Sequence, residues 1–593
     1  AAIWKNRAAF KGSGLVAASK DVIPDIPLND PVNGLLTRGV VHYLWGSMLH
    51  PPMSYRGSKH QYRTPDGSNH NALFPDLGKA GLPYAKSVQG QRAMLGAKPD
   101  PGDLFDLLMA REEIDNKGRE SDTGISSFLL YQATIVIHDI FRTNADDRNI
   151  SDTSSYLDLA PLYGSNQEAQ NSIRFMKDGL LKPDTFADHR LVNQPPGVSV
   201  FLIMYNRFHN YVAKQMLEIN ENGRFALPAD FVELDVEGQK QCLDKRDDDL
   251  FQTARLITCG LYAQIAIHDY LRCLMMMHAK DTAWTLDPRA EYNGLLDRGT
   301  LKRGEGNMVS VEFNLLYRFH SAISVRDANW STELLKLWLH SSIDDDATEK
   351  EIASGEKMTS GDFSDMKNHP ERAFGFRRDP KTGFFDDSQL VAELVRSMED
   401  PICSFGARQI PKAFKSIEIL GILQSRKWEV ATLNEFRQFF GMKKHERFED
   451  ITTDPIIVER LRDLYEDPDM VEMYPGYLCE GGTRNLDPNV SCPGSGATTL
   501  WRGVFSDAVT LVRSDRFYTT DWNVDSITAW GMSEVASDST INKGGLLHRL
   551  CQRAFPGYFS YNSLHLWEPY YTPARNLVLA EEQGFLDDLD LSD

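Results

Sequence analysis

The sequence predicts a mainly α enzyme built around one large buried core, and three observations carry that prediction. Seven segments place apolar residues three and four positions apart, the spacing of a helix face and not of a strand. Hydrophobic residues make up 41% of the 593 residues and aromatics 10%, with 28 scattered prolines, which suits a packed globular enzyme rather than a fibrous or disordered chain. No internal repeat or low-complexity tract interrupts the pattern.

Taken in order, residues 1–100 are rich in Pro, Gly and Asn without sustained periodicity and read as an extended N-terminal arm. A helical domain is expected from 101 to 560. Its segments are GDLFDLLMAREE from 102, SSFLLYQATIVIHDIF from 126, VSVFLIMYNRFHNYVAKQMLEI from 198, LFQTARLITCGLYAQIAIHDYLRCLMM from 250, EFNLLYRFHSAIS from 312, ATLNEFRQFFGM from 431 and DPIIVERLRDLYEDP from 454. The polar stretch 341–374 reads as a surface insertion, and 561–593, ending in FLDDLDLSD, as a C-terminal extension able to link to a further domain.

Charge and cysteine use narrow the function classes. A net charge of −20 offers no basic stripe to release counterions from a phosphate backbone, so nucleic acid is not an expected partner. The seven cysteines are odd in number and lack disulfide-framework or metal-ligand spacing, which points to a reducing, cytoplasmic compartment. AAIWKNRAAFKGSG has no continuous apolar stretch of the kind a signal peptide needs. The longest apolar run, 125–141, is broken by Gln132, His138 and Asp139 and reads as a buried helix, leaving room only for peripheral contact with membranes or lipid droplets. A homo-oligomer is expected.

Two histidines inside apolar segments are the informative positions. His138 sits among branched aliphatics in TIVIHDIF, next to Asp139. His320 closes EFNLLYRFH, where a continuous helix would put Tyr317 on its own face one turn away and point Arg318 elsewhere. Each histidine alone reads more plainly as a hydrogen-bonded core residue. Two on separate segments, one beside a tyrosine, suit a prosthetic group held between them, with one ligating a metal and the other working over its open face.

EFNLLYRFH resembles the signature of cyclooxygenases and fungal linoleate dioxygenases, in which a radical-forming tyrosine precedes the proximal haem histidine by three. TIVIHDIFRTN is similar to the distal-histidine helix of that superfamily, SSYLDLAPLYGSNQEAQ to its Asp-x-x-x-x-Tyr-Gly segment, NRFHNYVA to its Arg-Glu-His-Asn helix, and LNEFRQFFGM to the helix whose asparagine holds the proximal histidine. LYEDPDMVEMYPGYLCE and GATTLWRGVFSDAVTLV continue the same order. DTSSYLDLAPLYG and FSYNSLHLWEPYYTPAR look most like the psi-factor-producing oxygenase and linoleate diol synthase group.

The resemblance implies a haem peroxidase, cyclooxygenase-like helical fold carrying haem b. It makes His320 the axial iron ligand, Asn434 its orienting partner, His138 the distal base, Tyr317 the radical and Arg207 a cofactor-binding arginine. Phe208 stands at the family's glutamate, so no ester can join haem to the protein there. Asp139, Ser154, Tyr156 and Asp158 fit the family's calcium loop, with Ala160 in place of its last oxygen ligand, so calcium stays open as a second ion bound by fewer side-chain oxygens. Thr134 replaces the glutamine four residues before the distal histidine, and Gln132 is out of phase, which implies weak peroxide cleavage. A thiolate-haem domain, usual after such dioxygenases, is not visible: Cys479 in PGYLCEGG lacks the phenylalanine and the glycine spacing it needs, and reads as a core residue.

The expected activity is therefore insertion of O2 at C8 or C10 of linoleate or a similar 18-carbon unsaturated fatty acid, giving a hydroperoxide. A haem peroxidase oxidising small donors and an inactive haem-binding scaffold stay open as alternatives.

Overall fold

A computed structural model describes residues 25–27, 29–46, 60–91, 97–111, 118–279, 282–290, 303–339, 376, 378–480, 499–538 and 542–591. The polar stretch 341–374 and Cys492 lie outside the described residues. The chain divides into two units. The smaller comprises residues 1–59 and 290–303, and its described part holds helix α1, Pro31–Gly46. The Asp30 carboxylate accepts the Val32 N–H at 2.9 Å, satisfying one of the donors a helix start leaves open.

The larger unit spans 60–289 and 304–593. Among the described residues its one sheet pairs β1, Leu82–Pro83, antiparallel with β2, Ile150–Ser151, and helices make up the rest of the regular structure. Helix α2, Ser127–Ile140, is apolar nearly all round because it is buried nearly all round. Helix α3, Pro196–Ile219, starts on a proline whose missing N–H would have been unpaired anyway, and stops where Asn220 turns left-handed at φ 43°. Helix α4, Val236–Ile265, begins with the Asp235 carboxylate accepting the Gly238 N–H at 2.8 Å. It runs on into a π turn, Ala266–Tyr270, that delivers Tyr270 to the interior.

Helix α5, Val311–Leu316, is capped by the Ser310 hydroxyl, which accepts the Phe313 N–H at 3.0 Å. It ends at Tyr317, whose φ of −86° and ψ of 49° leave the helical region, and a separate 3-10 turn, His320–Ala322, follows. The single helix expected to carry Tyr317 and His320 on one face is thus two short pieces, and the two side chains diverge. Among the further helices are α6 (Asp387–Glu399), α7 (Lys415–Lys427), α8 (Leu433–Phe439), α9 (Met473–Glu480), α10 (Thr499–Ser514), α11 (Leu547–Ala554) and α12 (Pro573–Gln583). Helix α10 seats directly on α5 at Gly503, where a Cβ would come within 2.4 Å of the Leu316 side chain.

Residues on both flanks of the helical region enter this core. Arg63 and Asp515 form a buried ion pair at 2.9 Å, the His70 ring stacks on Tyr156 at 3.6 Å, and the Ser87 and Val88 N–H groups donate to the buried Glu312 carboxylate. Beyond residue 560, Tyr570 and Tyr571 are each 1% exposed, and the Ser126 N–H donates to the Tyr570 carbonyl at 2.8 Å. Packing therefore shows no boundary at 560. No helix among the described residues is long and apolar enough to cross a membrane.

Candidate active site

Tyr317 is 4% exposed, and its hydroxyl lies 2.6 Å from the hydroxyl of Tyr270. Phe313 and Phe319 approach its ring edge-on at 5.3 and 4.9 Å, and Phe319 in turn stacks on Trp501 of α10. Burial pushes the phenol well above its ordinary range, so it carries its proton at any physiological pH. Burial raises the Tyr270 phenol as well, so the two hydroxyls share one hydrogen bond with both protons in place.

His320 is held differently. Its Nδ1 lies 2.5 Å from Oε1 of Glu418, a fully buried carboxylate in the first turn of α7, and the Tyr474 hydroxyl of α9 donates to the other carboxylate oxygen. Because a carboxylate only accepts, the Nδ1 proton is directed at Glu418. The side chain is 34% exposed although Ser321 and Ala322 beside it are fully buried, so the imidazole borders open space. An imidazole anchored through Nδ1, with its other nitrogen on the far side of the ring, fits an axial haem ligand.

Asn434 is not that anchor. Its amide donates to the His445 carbonyl at 2.8 Å and to Asp469 at 2.7 Å, and its oxygen accepts the His445 N–H at 2.8 Å. Helix α8 uses the residue to tie down the loop after it, and the position beside His320 Nδ1 belongs to Glu418.

The His138 Nδ1 lies 2.8 Å from the Thr134 carbonyl one turn back, which makes it the protonated nitrogen and leaves Nε2 as the acceptor. Burial and the Arg190 charge lower this histidine to about 4, with Asp188 pulling the other way, so it is a neutral base near pH 7. Arg190 pairs with Asp188 at 3.0 Å through Nε and donates to the His138 carbonyl at 3.3 Å. The Thr134 hydroxyl is turned back on the Leu130 carbonyl at 2.8 Å, and Gln132 faces Tyr205 of α3, so helix α2 places no second polar side chain beside His138.

Arg207 lies elsewhere. It forks onto Asp184 at 2.8 and 2.9 Å and reaches Asp387 of α6 at 2.6 Å, joining α3 to its neighbours, and the arginine beside His138 is Arg190. Phe208 is fully buried in the core.

The four candidate calcium residues are close together, and the Asp139 and Asp158 carboxylates face each other in the core. The Asp139 oxygens accept the Leu159 and Ala160 N–H groups at 3.2 and 2.7 Å, Asp158 accepts the Ser154 hydroxyl at 2.9 Å, and the Tyr156 hydroxyl donates to the Leu77 carbonyl at 2.7 Å. The buried Arg255 guanidinium stands 4.0 Å from Asp158, and among the described residues no group of three or more His, Cys, Asp or Glu is disposed to hold a metal. The facing Asp158 carboxylate and burial push Asp139 well above the usual carboxylate range, and one buried Asp158 oxygen has no hydrogen-bond partner among the described residues.

Three contributors escaped the sequence reading: Tyr270, Glu418 and Arg190. Each was visible as a polar residue out of place, in AIHDYLRC, in FKSIEILG and just ahead of the α3 proline, but its partner lay 47 or more residues away in the chain.

A family model described as animal haem peroxidase matches residues 142–542. The chain belongs to this family. Within the animal haem peroxidase family it is 43% identical over 578 residues to the bifunctional dioxygenase (DOX)-epoxy alcohol synthase (EAS) of Fusarium oxysporum, covering 96% of this chain and 44% of that protein. It is likewise 43% identical over 563 residues to the linoleate 10R-lipoxygenase of Aspergillus fumigatus, covering 95% of this chain and 49% of that protein. The chain spans about half the length, or less, of these curated relatives. The crystal structure of Oryza sativa fatty acid alpha-dioxygenase superposes with a TM-score of 0.58 at 17% identity, covering 93% of this chain and 94% of that one, which shows a shared fold.

Proposed function

We propose that this animal haem peroxidase family member is a fatty-acid dioxygenase that adds O2 at C8 or C10 of linoleate or a similar 18-carbon unsaturated acid and yields a hydroperoxide. The observation that carries the reading is Tyr317, a buried phenol hydrogen-bonded to Tyr270 and three residues from a histidine anchored through Nδ1. The names of relatives 43% identical, a linoleate 10R-lipoxygenase among them, support the substrate class.

Haem, when bound on His320, supplies the oxidation that turns the Tyr317 phenol into its neutral radical. That radical takes a hydrogen atom from an allylic methylene of the fatty acid, O2 adds to the carbon radical, and the resulting peroxyl takes the hydrogen back from Tyr317. The net change is one fatty acid plus one O2 to one hydroperoxide, with the tyrosyl radical regenerated. The chain contributes position and exclusion of water around the phenol. His138, neutral with Nε2 open, is the proton acceptor for an incoming peroxide.

Calcium at Asp139 and Asp158 stays a proposal, supported by the two facing buried carboxylates and the Asp158 oxygen that has no hydrogen-bond partner among the described residues. A reducing cytoplasmic setting is supported by the six described cysteines, all free thiols. Oxygen uptake on adding linoleate to the haem-loaded protein tests the reading, and peroxide-dependent oxidation of small donors without oxygen uptake would replace it with a peroxidase.

A further inference from the structure

The geometry points to Glu418 as the positioning residue that gives His320 anionic character and thereby holds haem iron toward its ferric state. The inference rests on His320 being the axial ligand, and its test is built to separate the two claims.

Three features of the site support it. The Glu418 carboxylate is fully buried and its Oε1 lies 2.5 Å from His320 Nδ1, a short charge-assisted contact with no water to weaken it. Helix α7 fixes the carboxylate from its first turn, where the positive end of the helix favours an anion. Its second oxygen accepts the Tyr474 hydroxyl, and the Tyr474 ring lies under the Arg318 guanidinium at 5.3 Å. Arg318 is itself steadied by Gln424 of α7 at 3.2 Å. Arg318 thus adds positive charge on the carboxylate side.

A carboxylate and an amide at this place act differently. An amide oxygen would accept the Nδ1 proton and leave the imidazole essentially neutral. A buried carboxylate draws that proton harder, so Nε2 becomes a stronger donor to whatever it ligates. Stronger donation favours the more highly charged iron, which lowers the ferric to ferrous midpoint potential. Tyr474 moderates this: its hydroxyl takes part of the carboxylate's basicity, so removing it should strengthen the pull on Nδ1.

The two partners therefore predict shifts of opposite sign, which general loosening of the site cannot produce. In the haem-loaded full chain, Glu418→Gln should raise the midpoint potential by about 59 mV or more, a tenfold change in the ferric to ferrous ratio for one electron. It should also lower the iron–histidine stretching frequency of the ferrous form in resonance Raman spectra. Tyr474→Phe should move both quantities the other way. An unchanged potential and stretch in Glu418→Gln, or a Tyr474→Phe shift of the same sign, would overturn the inference. If Glu418→Gln yields no folded protein, the sign of the Tyr474→Phe shift decides alone. His320→Ala examines the underlying assignment separately: retention of an unaltered Soret band there would mean that another residue ligates, and both claims would fall together.

Discussion

Replacing Tyr317 with phenylalanine removes one oxygen atom from a site whose surroundings define what should and should not change. The lost partner is the Tyr270 hydroxyl at 2.6 Å, also buried, so the variant strands one polar group at a cost of roughly 1–3 kcal/mol and opens no cavity beyond that oxygen. His320 stands on a separate 3-10 turn and is anchored by Glu418, so the Soret band should be retained. Oxygen uptake with linoleate should fall to background, because the proposed carrier of the hydrogen atom is gone. Tyr270→Phe is the control of intermediate size: it keeps the radical-forming phenol and loses one hydrogen bond of about 1.5 kcal/mol, which corresponds to roughly tenfold slower turnover. An oxygen electrode and an absorption spectrum suffice for both. Near-normal uptake by Tyr317→Phe would refute the radical assignment, and a Soret band lost as fully as in His320→Ala would refute the separation of the two residues.

His320→Ala should lose haem or its characteristic spectrum, read by titration with hemin. Asn434→Ala should lower stability by roughly 1–3 kcal/mol in denaturant unfolding while leaving the haem spectrum alone, because the amide holds His445 and Asp469; haem loss at unchanged stability would return it to the proximal site. His138 has its folded pKa lowered to about 4 from 6.5, so between these values the unfolded chain binds more protons. Stability should therefore fall as pH drops through that window, by up to about 1.4 kcal/mol per unit from this one group, and peroxide activation should keep its basic form down to near pH 4. Arg190→Gln should move that acid limb upward, and a limb fixed near 6.5 in both proteins would contradict the assignment. Chromatography of linoleate products made without reductant should show intact hydroperoxide, since Thr134 and Gln132 offer His138 no second donor, and mainly alcohol or diol would contradict this.

What could be read in the sequence was whatever local spacing encodes. The periodicity of 126–141 and 198–219 gave helices α2 and α3 nearly to their ends, and the phase of Gln132 against His138 was right because a helix fixes it. The break at Tyr317 was not legible: six helical residues before it and a 3-10 turn after it differ in pattern too little for a period to resolve. The partner of His320 was misassigned, and that of His138 was not read at all, for another reason. Glu418 lies 98 residues from His320 and Arg190 52 from His138, and nothing in a helical period selects which distant polar residue closes on a histidine. A carboxylate in an apolar helix, as in SIEILG, is the kind of signal that marks such a residue without naming its mate.

The ties between distant parts of the chain bear on how the protein must be made. Arg63 waits for Asp515, 452 residues later, and Ser126 for the backbone of Tyr570, 444 residues later. Most of the polypeptide has left the ribosome before either contact can close, so the half-built core exposes apolar helices for tens of seconds at ordinary synthesis rates and is open to aggregation throughout. The proximal site waits as well, since Glu418 and Tyr474 emerge long after His320. The contacts that fix His320 are accordingly among the later ones to form as the chain is made.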